Sequence, residues 1–145
     1  MKIEMGKIYF IIILALLILG CGNSKNEPKG PPVVVLDKIM ELTFNEKPDT
    51  IDLGNLKEGV ITEFTVRLIN IDTIPRLIID IIPDCGCTAI VFDKKPVMPG
   101  GYSDVTMSYD SRNQSGTQLK NVRLITSINE SSKNIFLKSR IETGR

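Results

Sequence analysis

Apolar and polar residues alternate along much of the chain after about Met40, and this period of two predicts β-strands. In Ile61–Ile69 the apolar positions Phe64, Val66 and Leu68 are separated by polar residues. Because side chains of a strand point alternately to its two faces, this segment has one buried and one exposed face. Similar patterns predict further strands at Met40–Phe44, Thr50–Leu53, Leu77–Ile82, Thr88–Phe92, 102–110, Leu119–Thr126 and Ile135–Ile141. Seven or eight short strands separated by turn residues predict an all-β chain, an antiparallel β-sandwich.

Two segments leave the pattern open. Val33–Leu42 is compatible with a short helix or with a first strand. Leu77–Ile82 is apolar on both faces except for Asp80, which predicts a central strand covered on both sides. The alternative for this segment is an exposed apolar surface that binds a partner.

The N-terminal residues 1–20 have the pattern of a cleaved signal peptide. Two lysines precede an unbroken apolar run, Ile8–Leu19. This run has 12 residues, whereas a helix needs about 20 to span a bilayer. The run ends in Ile18-Leu19-Gly20-Cys21, which resembles the bacterial lipobox. The resemblance implies that Cys21 becomes the acylated N-terminus of the mature protein.

Lipidation of Cys21 would anchor the protein permanently. A diacylglyceryl group and an amide-linked chain such as palmitate each contribute about 0.8 kcal/mol per buried methylene. Gly22 follows Cys21 in place of an aspartate, which by resemblance to Gram-negative sorting rules implies the outer membrane, with the protein facing the periplasm. Residues 22–32 are rich in Gly, Pro and polar side chains and predict a flexible tether. The predicted organisation is signal peptide 1–20, lipidated Cys and tether 21–39, and β-sandwich 40–145.

The charge balance and the amino-acid composition exclude several classes of function. The chain has 18 basic and 17 acidic residues and no histidine. Once Lys2, Glu4 and Lys7 leave with the signal peptide, the two charges balance, which gives no electrostatic reason to bind nucleic acid. The lack of histidine excludes Ser-His-Asp and Cys-His nucleophiles and His-based zinc sites. We therefore predict a protein that is not an enzyme and has no cofactor.

Cys85-Gly86-Cys87-Thr88 is the one concentration of reactive side chains in the predicted domain. In an oxidising periplasm a disulfide between the two cysteines is the default outcome, and Gly86 is expected to adopt a positive φ. Two alternatives remain open. One is a thiol redox site, and the other is a copper(I) site that adds a thioether from Met98 or Met107.

The same motif also carries a family resemblance. It occurs together with Asp52-Leu53-Gly54, Phe64, Asn70, Leu77-Ile78-Ile79, Met98-Pro99-Gly100 and the closing strand Ile135–Ile141. In this combination the chain resembles a widespread family of uncharacterised bacterial lipoproteins whose domain is an immunoglobulin-like, Hydin-type β-sandwich. The resemblance covers roughly residues 40–142. It implies a fold and a location in the cell envelope, and no established activity.

Three hypotheses for the function follow. The first is a lipid-anchored binding or scaffold module, attached to the membrane through Cys21, for an unknown envelope protein or polymer. The second is a periplasmic thiol redox or copper-handling protein that uses Cys85 and Cys87. The third is a carbohydrate-binding module, which draws on the fold alone. Its candidate stacking residues are Tyr102, Tyr109, Phe44, Phe64, Phe92 and Phe136.

Overall fold

The computed structural model describes residues 30–127 and 132–144. The predicted signal peptide, Cys21 and the tether up to residue 29 lie outside these residues. In the described part of the chain there is no helix long and apolar enough to cross a membrane. Its elements are eight strands: β1 Val33–Thr43, β2 Asp49–Lys57, β3 Ile61–Ile69, β4 Ile78–Pro83, β5 Thr88–Phe92, β6 Tyr102–Asp110, β7 Gly116–Thr126 and β8 Ser132–Glu142.

The strands form two four-stranded sheets, which confirms the predicted all-β sandwich. Sheet 1 has the order β1-β3-β6-β5 and sheet 2 the order β2-β8-β7-β4. The sheets are mixed rather than purely antiparallel as predicted, because β1 runs parallel to β3 and β2 runs parallel to β8. Alternation along a strand specifies which residues face the core. It carries no information on the direction of the neighbouring strand, which is why the two parallel pairs escaped prediction.

β1 confirms the strand alternative for Val33–Leu42, and it begins inside the segment assigned to the tether. β1 starts at Val33, and the amide of Ile61 donates to the carbonyl of Pro32 at 2.9 Å. Farther along β1, Leu36 and Met40 pack against the core. The register with β3 shifts between Val35 and Ile39. This bulge interrupts the alternation of side chains, so the period of two did not reveal the start of the strand.

β4 is an edge strand and one of its faces is exposed, so the prediction of a central strand covered on both faces is wrong. Ile78 and Ile81 are buried, whereas Ile79 is 45% and Ile82 is 37% exposed. β4 pairs only with β7 in sheet 2. A run of apolar residues identified the strand correctly but did not distinguish a central strand from an edge strand.

The core lies between the inner faces of the two sheets. Each sheet contributes alternating apolar residues from its two central strands, and fully burying one such side chain stabilises the fold by about 1.5–3 kcal/mol. On these central strands, the apolar side chains that are at most 1% exposed are Val66 and Leu68 on β3, Val105, Met107 and Tyr109 on β6, Val122 and Leu124 on β7, and Ile135 and Leu137 on β8. Burial raises the pKa of the Tyr109 hydroxyl.

Buried polar side chains fix the strand ends. The hydroxyl of Ser111, at the end of β6, accepts from the amide of Val60 at 3.0 Å and donates to the carbonyls of Lys57 and Val60 at 2.7 and 2.8 Å. These bonds hold the β2–β3 turn. Near the opposite end, Lys133 is 3% exposed and pairs with Asp49 at 2.5 Å. The start of β8 is thereby fixed to the start of β2.

The two ends of the sandwich are distinct. At the N-terminal end, Val33, Ile61 and Asp110 lie in one row across sheet 1. At the other end, called here the Asn70 end, β3 finishes at Ile69 and Asn70 follows. With a rise of about 3.3 Å per residue, the nine-residue strand β3 separates the two ends by roughly 27 Å.

Candidate functional site

The predicted Cys85-Gly86-Cys87-Thr88 site forms the corner where the chain crosses from β4 in sheet 2 to β5 in sheet 1. The structure joins Cys85 and Cys87 by a disulfide, with their Cα atoms 5.2 Å apart. Both cysteines are half-buried, and Cys87 packs against the core. The corner lies at the N-terminal end, because the amide of Asp110 donates to the carbonyl of Cys87 at 2.8 Å.

Hydrogen bonds on both sides hold this corner independently of the disulfide. On the side of sheet 2, the amide of Asp84 donates to the carbonyl of Asn121, and the amide of Asn121 donates to the Asp84 carboxylate, both at 2.9 Å. On the side of sheet 1, Asp110 bonds to Cys87. The disulfide therefore closes a small ring within a segment that is already fixed at each end.

Gly86 does not have the positive φ that the sequence led us to expect. Among the described residues, the glycines with positive φ are Gly54, Gly59, Gly100 and Gly116. A Cβ added at Gly86 would meet no atom within 4 Å. The corner spreads its bend over several residues between β4 and β5, so none of them has to adopt a left-handed conformation. The glycine leaves the surface beside the disulfide open.

The corner does not assemble the donors of the copper alternative. The sulfurs of Cys85 and Cys87 are bonded to each other, so they carry no thiolates. Met107 is 1% exposed within the core, whereas Met98 is 60% exposed at the Asn70 end, about a strand length from the cysteines. Within the described residues no group of three or more Cys, Asp or Glu side chains is placed to hold a metal ion.

Thr88 is the side chain that contacts the disulfide through a polar atom. Its hydroxyl lies 3.7 Å from the Sγ atom of Cys85. A disulfide sulfur has no hydrogen, so the threonine hydroxyl is the donor. The contact accounts for a threonine after the second cysteine, and it orients Thr88 at the first position of β5.

Asn70, at the opposite end, is completely buried and uses every hydrogen-bonding group that it has. Its side-chain amide donates to the carbonyls of Ile74 and Val97 at 2.9 and 2.8 Å. Its side-chain oxygen accepts from the amide of Asp72 at 3.0 Å. Its own backbone amide and carbonyl bond to the β5–β6 loop, to Gly101 and Gly100 respectively, each at 2.9 Å. One residue thereby joins the β3–β4 loop to the β5–β6 loop.

Further contacts stiffen the same two loops. Arg76 and Val97 exchange backbone hydrogen bonds of 2.9 and 2.7 Å. The guanidinium of Arg76 pairs with the Asp72 carboxylate at 2.5 Å. Gly100 has a φ of +75°, and a Cβ at Gly101 would lie 3.1 Å from the carbonyl oxygen of Met98. The consecutive glycines are needed because the β5–β6 loop turns tightly here.

The two loops expose an apolar surface that the sequence analysis missed. Ile71 is 65%, Ile74 51% and Met98 60% exposed; these three residues are called the apolar tip. All three are next to groups that Asn70 joins: Ile71 follows Asn70, and the carbonyls of Ile74 and of Val97, which precedes Met98, accept from the same amide nitrogen. Exposed apolar clusters of this kind mark interaction sites. The sequence signal for this surface was the combination of Asn70 and Met98-Pro99-Gly100. These residues contributed to the family resemblance, but the sequence analysis assigned them no structural role.

The candidate sugar-stacking residues do not form a platform. Tyr109, Phe44 and Phe64 are buried. Tyr102 is 58% exposed, but the Arg67 guanidinium lies 4.0 Å from its ring centroid and covers one face. Arg67 also donates two hydrogen bonds to the Asp104 carboxylate, which lowers the pKa of Asp104. The remaining candidates, both half-buried, are Phe92 and Phe136.

A comparison with known protein families finds a match to this domain. The family described as "Protein of unknown function (DUF1573)" matches residues 42–141, more than half of the chain. The chain belongs to this family. No curated protein matches it. The family match spans β2 to β7, nearly all of β8 and only the last two residues of β1, and so includes the disulfide corner and both loops of the apolar tip.

Solved structures share the fold at low sequence identity. A protein of unknown function from Porphyromonas gingivalis W83 is 16% identical with a TM-score of 0.54, covering 64% of this chain and 44% of that one. The Vibrio cholerae VesB protease is 16% identical with a TM-score of 0.52, covering 66% of this chain and 31% of the protease. This chain thus spans less than half of either protein. These similarities show that the β-sandwich fold is shared. They carry no information on activity.

We predict that Asn70→Ala lowers the free energy of unfolding of the mature chain by about 2–4 kcal/mol, because two carbonyls and one amide lose their partner in a buried site. Asn55→Ala, at an exposed position of β2, is the matched control and should change stability by less than about 0.5 kcal/mol. Urea unfolding of both variants measures the difference. Equal midpoints for the two variants would refute the central role of Asn70.

We predict that replacing both Cys85 and Cys87 by Ser costs only about 1.5 kcal/mol, since the ring that the disulfide closes is very small. The hydrogen bonds of Asp84 and Asp110 should keep the corner in place. Urea unfolding of the double variant, compared with the oxidised wild-type chain in the absence of reductant, measures the cost. A double variant that fails to fold would show instead that the disulfide determines the corner.

Proposed function

We propose that this protein is a lipid-anchored cell-envelope protein whose β-sandwich is a non-catalytic binding module, with the apolar tip as its binding surface. The observation that carries the proposal is the tip itself: Ile71, Ile74 and Met98 are exposed on two loops that are held rigid by buried hydrogen bonds. The partner is a protein with an apolar pocket.

The rigidity of the loops supports binding. An exposed apolar loop that is already ordered loses little conformational entropy when it meets a partner. Asn70 supplies this order through bonds to both loops. Methionine adapts its shape to apolar surfaces, and Met98 is 60% exposed. The geometry therefore resembles a small set of anchor residues on a fixed base.

The charges around the tip also favour an apolar contact. Asp72 is paired with Arg76, and Asp93 is paired with Lys95 at 2.7 Å. Because these charges are already neutralised by each other, they provide a polar rim around the tip and no strong net field. Interfaces between proteins commonly combine an apolar centre with such a polar rim.

The anchor is proposed from the sequence. The lipobox resemblance at Ile18–Cys21 and the polar tether after it support lipidation of Cys21. The family resemblance supports an immunoglobulin-like, Hydin-type domain, and Gly22 supports the periplasmic side of the outer membrane. In this location the tether lets the domain search for a partner while the acyl chains hold it at the bilayer.

The disulfide corner does not favour the alternative function of a thiol redox protein. Thiol exchange needs a thiolate in a region that stabilises negative charge. The groups that bond to the corner include the carboxylate of Asp84, whereas the Asp110 carboxylate is paired with Arg112. The negative charge of Asp84 opposes a thiolate at this position. We propose a structural role for the Cys85–Cys87 pair.

We predict that a Gram-negative host expressing the full chain incorporates radiolabelled palmitate into the wild-type protein and not into a Cys21→Ser variant. The wild-type protein should fractionate with outer membranes, because several acyl chains make detachment negligible. Cys85→Ser serves as the control for nonspecific loss of a cysteine. Equal labelling of wild type and Cys21→Ser would contradict the proposed anchor.

We predict that a photo-crosslinking phenylalanine analogue at Met98 captures a defined envelope protein in intact cells, whereas the same analogue at Val91 does not. Val91, on β5, is 71% exposed and is a matched apolar control. Ile74→Asp should abolish the crosslink from position 98 while leaving the unfolding midpoint nearly unchanged. Equal capture from both positions, or a crosslink that survives Ile74→Asp, would contradict binding through the apolar tip.

A further inference from the structure

The first three residues of β1 form a second exposed apolar surface. Val33 is 53%, Val34 46% and Val35 60% exposed. β1 is the edge strand of sheet 1 and pairs only with β3. Exposed edges normally carry charged side chains that keep other surfaces away. On β1 the charges Asp37 and Lys38 appear only at the bulge, so the first three residues are left without this protection.

The apolar surface continues into a hollow beside β1. A hollow of about 270 Å³ is lined in part by Val34, Leu56, Val60 and Thr62. Thr62 is completely buried, and its hydroxyl has no hydrogen-bond partner. The start of β1 is thus one side of an indented apolar area at the N-terminal end of the sandwich.

The position of this area relative to Cys21 indicates what covers it. Only residues 22–29 separate Cys21 from Gly30, where the described structure begins. Fully extended, this segment spans at most about 30 Å. Val33 follows directly after Pro31 and Pro32. The start of β1 is therefore the part of the described domain to which the tether is attached, and it can reach the bilayer without extension of the tether.

We infer that Val33–Val35 rest in the headgroup region of the bilayer that holds Cys21, and that the domain consequently stands with its apolar tip facing away from the membrane. The inference rests on the lipid anchor of the proposed function. The headgroup region accepts apolar side chains and still contains water. That water keeps the unpaired backbone groups of the β1 edge hydrogen-bonded, which the hydrocarbon core would not.

This docking orients the molecule. The apolar tip lies at the Asn70 end, roughly 27 Å from the row that contains Val33. A domain tethered by residues 22–29 alone would present all its surfaces in turn. Contact through the start of β1 restricts this rotation and directs Ile71, Ile74 and Met98 into the periplasm.

Tryptophan fluorescence tests the inference, because the chain has no native Trp. The lipidated full-length variants V34W and V91W are reconstituted into vesicles of phosphatidylethanolamine and phosphatidylglycerol, with and without brominated acyl chains. Side chains in the headgroup region lie close enough to the bromines for quenching, so V34W should lose about half of its emission and shift to the blue. V91W, on the opposite edge of sheet 1, should change in neither respect.

The outcomes separate this inference from the anchor. If neither variant floats with the vesicles, the lipid anchor of the proposed function fails. If both float but V34W is quenched no more than V91W, the docking fails and the anchor stands. V35W replaces V34W if the latter does not reach the wild-type unfolding midpoint. If the wild-type chain forms dimers in detergent and the V35W substitution dissociates them, a second copy of the chain covers β1 and the inference is overturned.

Discussion

The buried side-chain amide of Asn70 is the interaction on which the β3–β4 and β5–β6 loops of this sandwich depend. Loops that connect strands have no ladder of their own to satisfy their backbone groups. Here one side chain satisfies two carbonyls and one amide, and its backbone satisfies two more groups. A glycine pair and an arginine–aspartate pair complete the arrangement. The apolar tip owes its fixed shape to this network.

The two ends of the molecule are stabilised by different means. At the N-terminal end a covalent bond joins Cys85 and Cys87, but the strands on either side are already held by backbone hydrogen bonds. At the Asn70 end no disulfide is present among the described residues. The hydrogen-bond network there joins two loops, whereas the disulfide closes a ring within a single corner. The reactive cysteines attract attention in the sequence, whereas the residue with the larger structural role is a neutral asparagine. Chemical reactivity is a poor guide to structural importance in this domain.

The sequence predicted the strands well because alternation reflects burial directly. Phe64, Val66 and Leu68 identified β3, and equivalent patterns identified the other strands. Val33–Leu42 stayed open between a helix and a strand because the bulge in β1 breaks the alternation, and the edge position of β4 escaped because an apolar run does not reveal its neighbours. The apolar tip escaped for another reason: its exposure arises from contacts between loops that are distant in sequence, and no local pattern encodes these.

The pairing of β2 has a consequence for the order of folding. β2 bonds only to β8, and the ion pair between Asp52 and Lys138 spans 86 residues. Closing so long a loop is entropically costly, so sheet 2 completes only after the last strand is available. During synthesis, a chain that emerges N-terminus first would hold β2 unpaired until its final residues arrive. Premature termination before β8 would leave no intact sheet 2, which makes the fold sensitive to the integrity of its C-terminal strand.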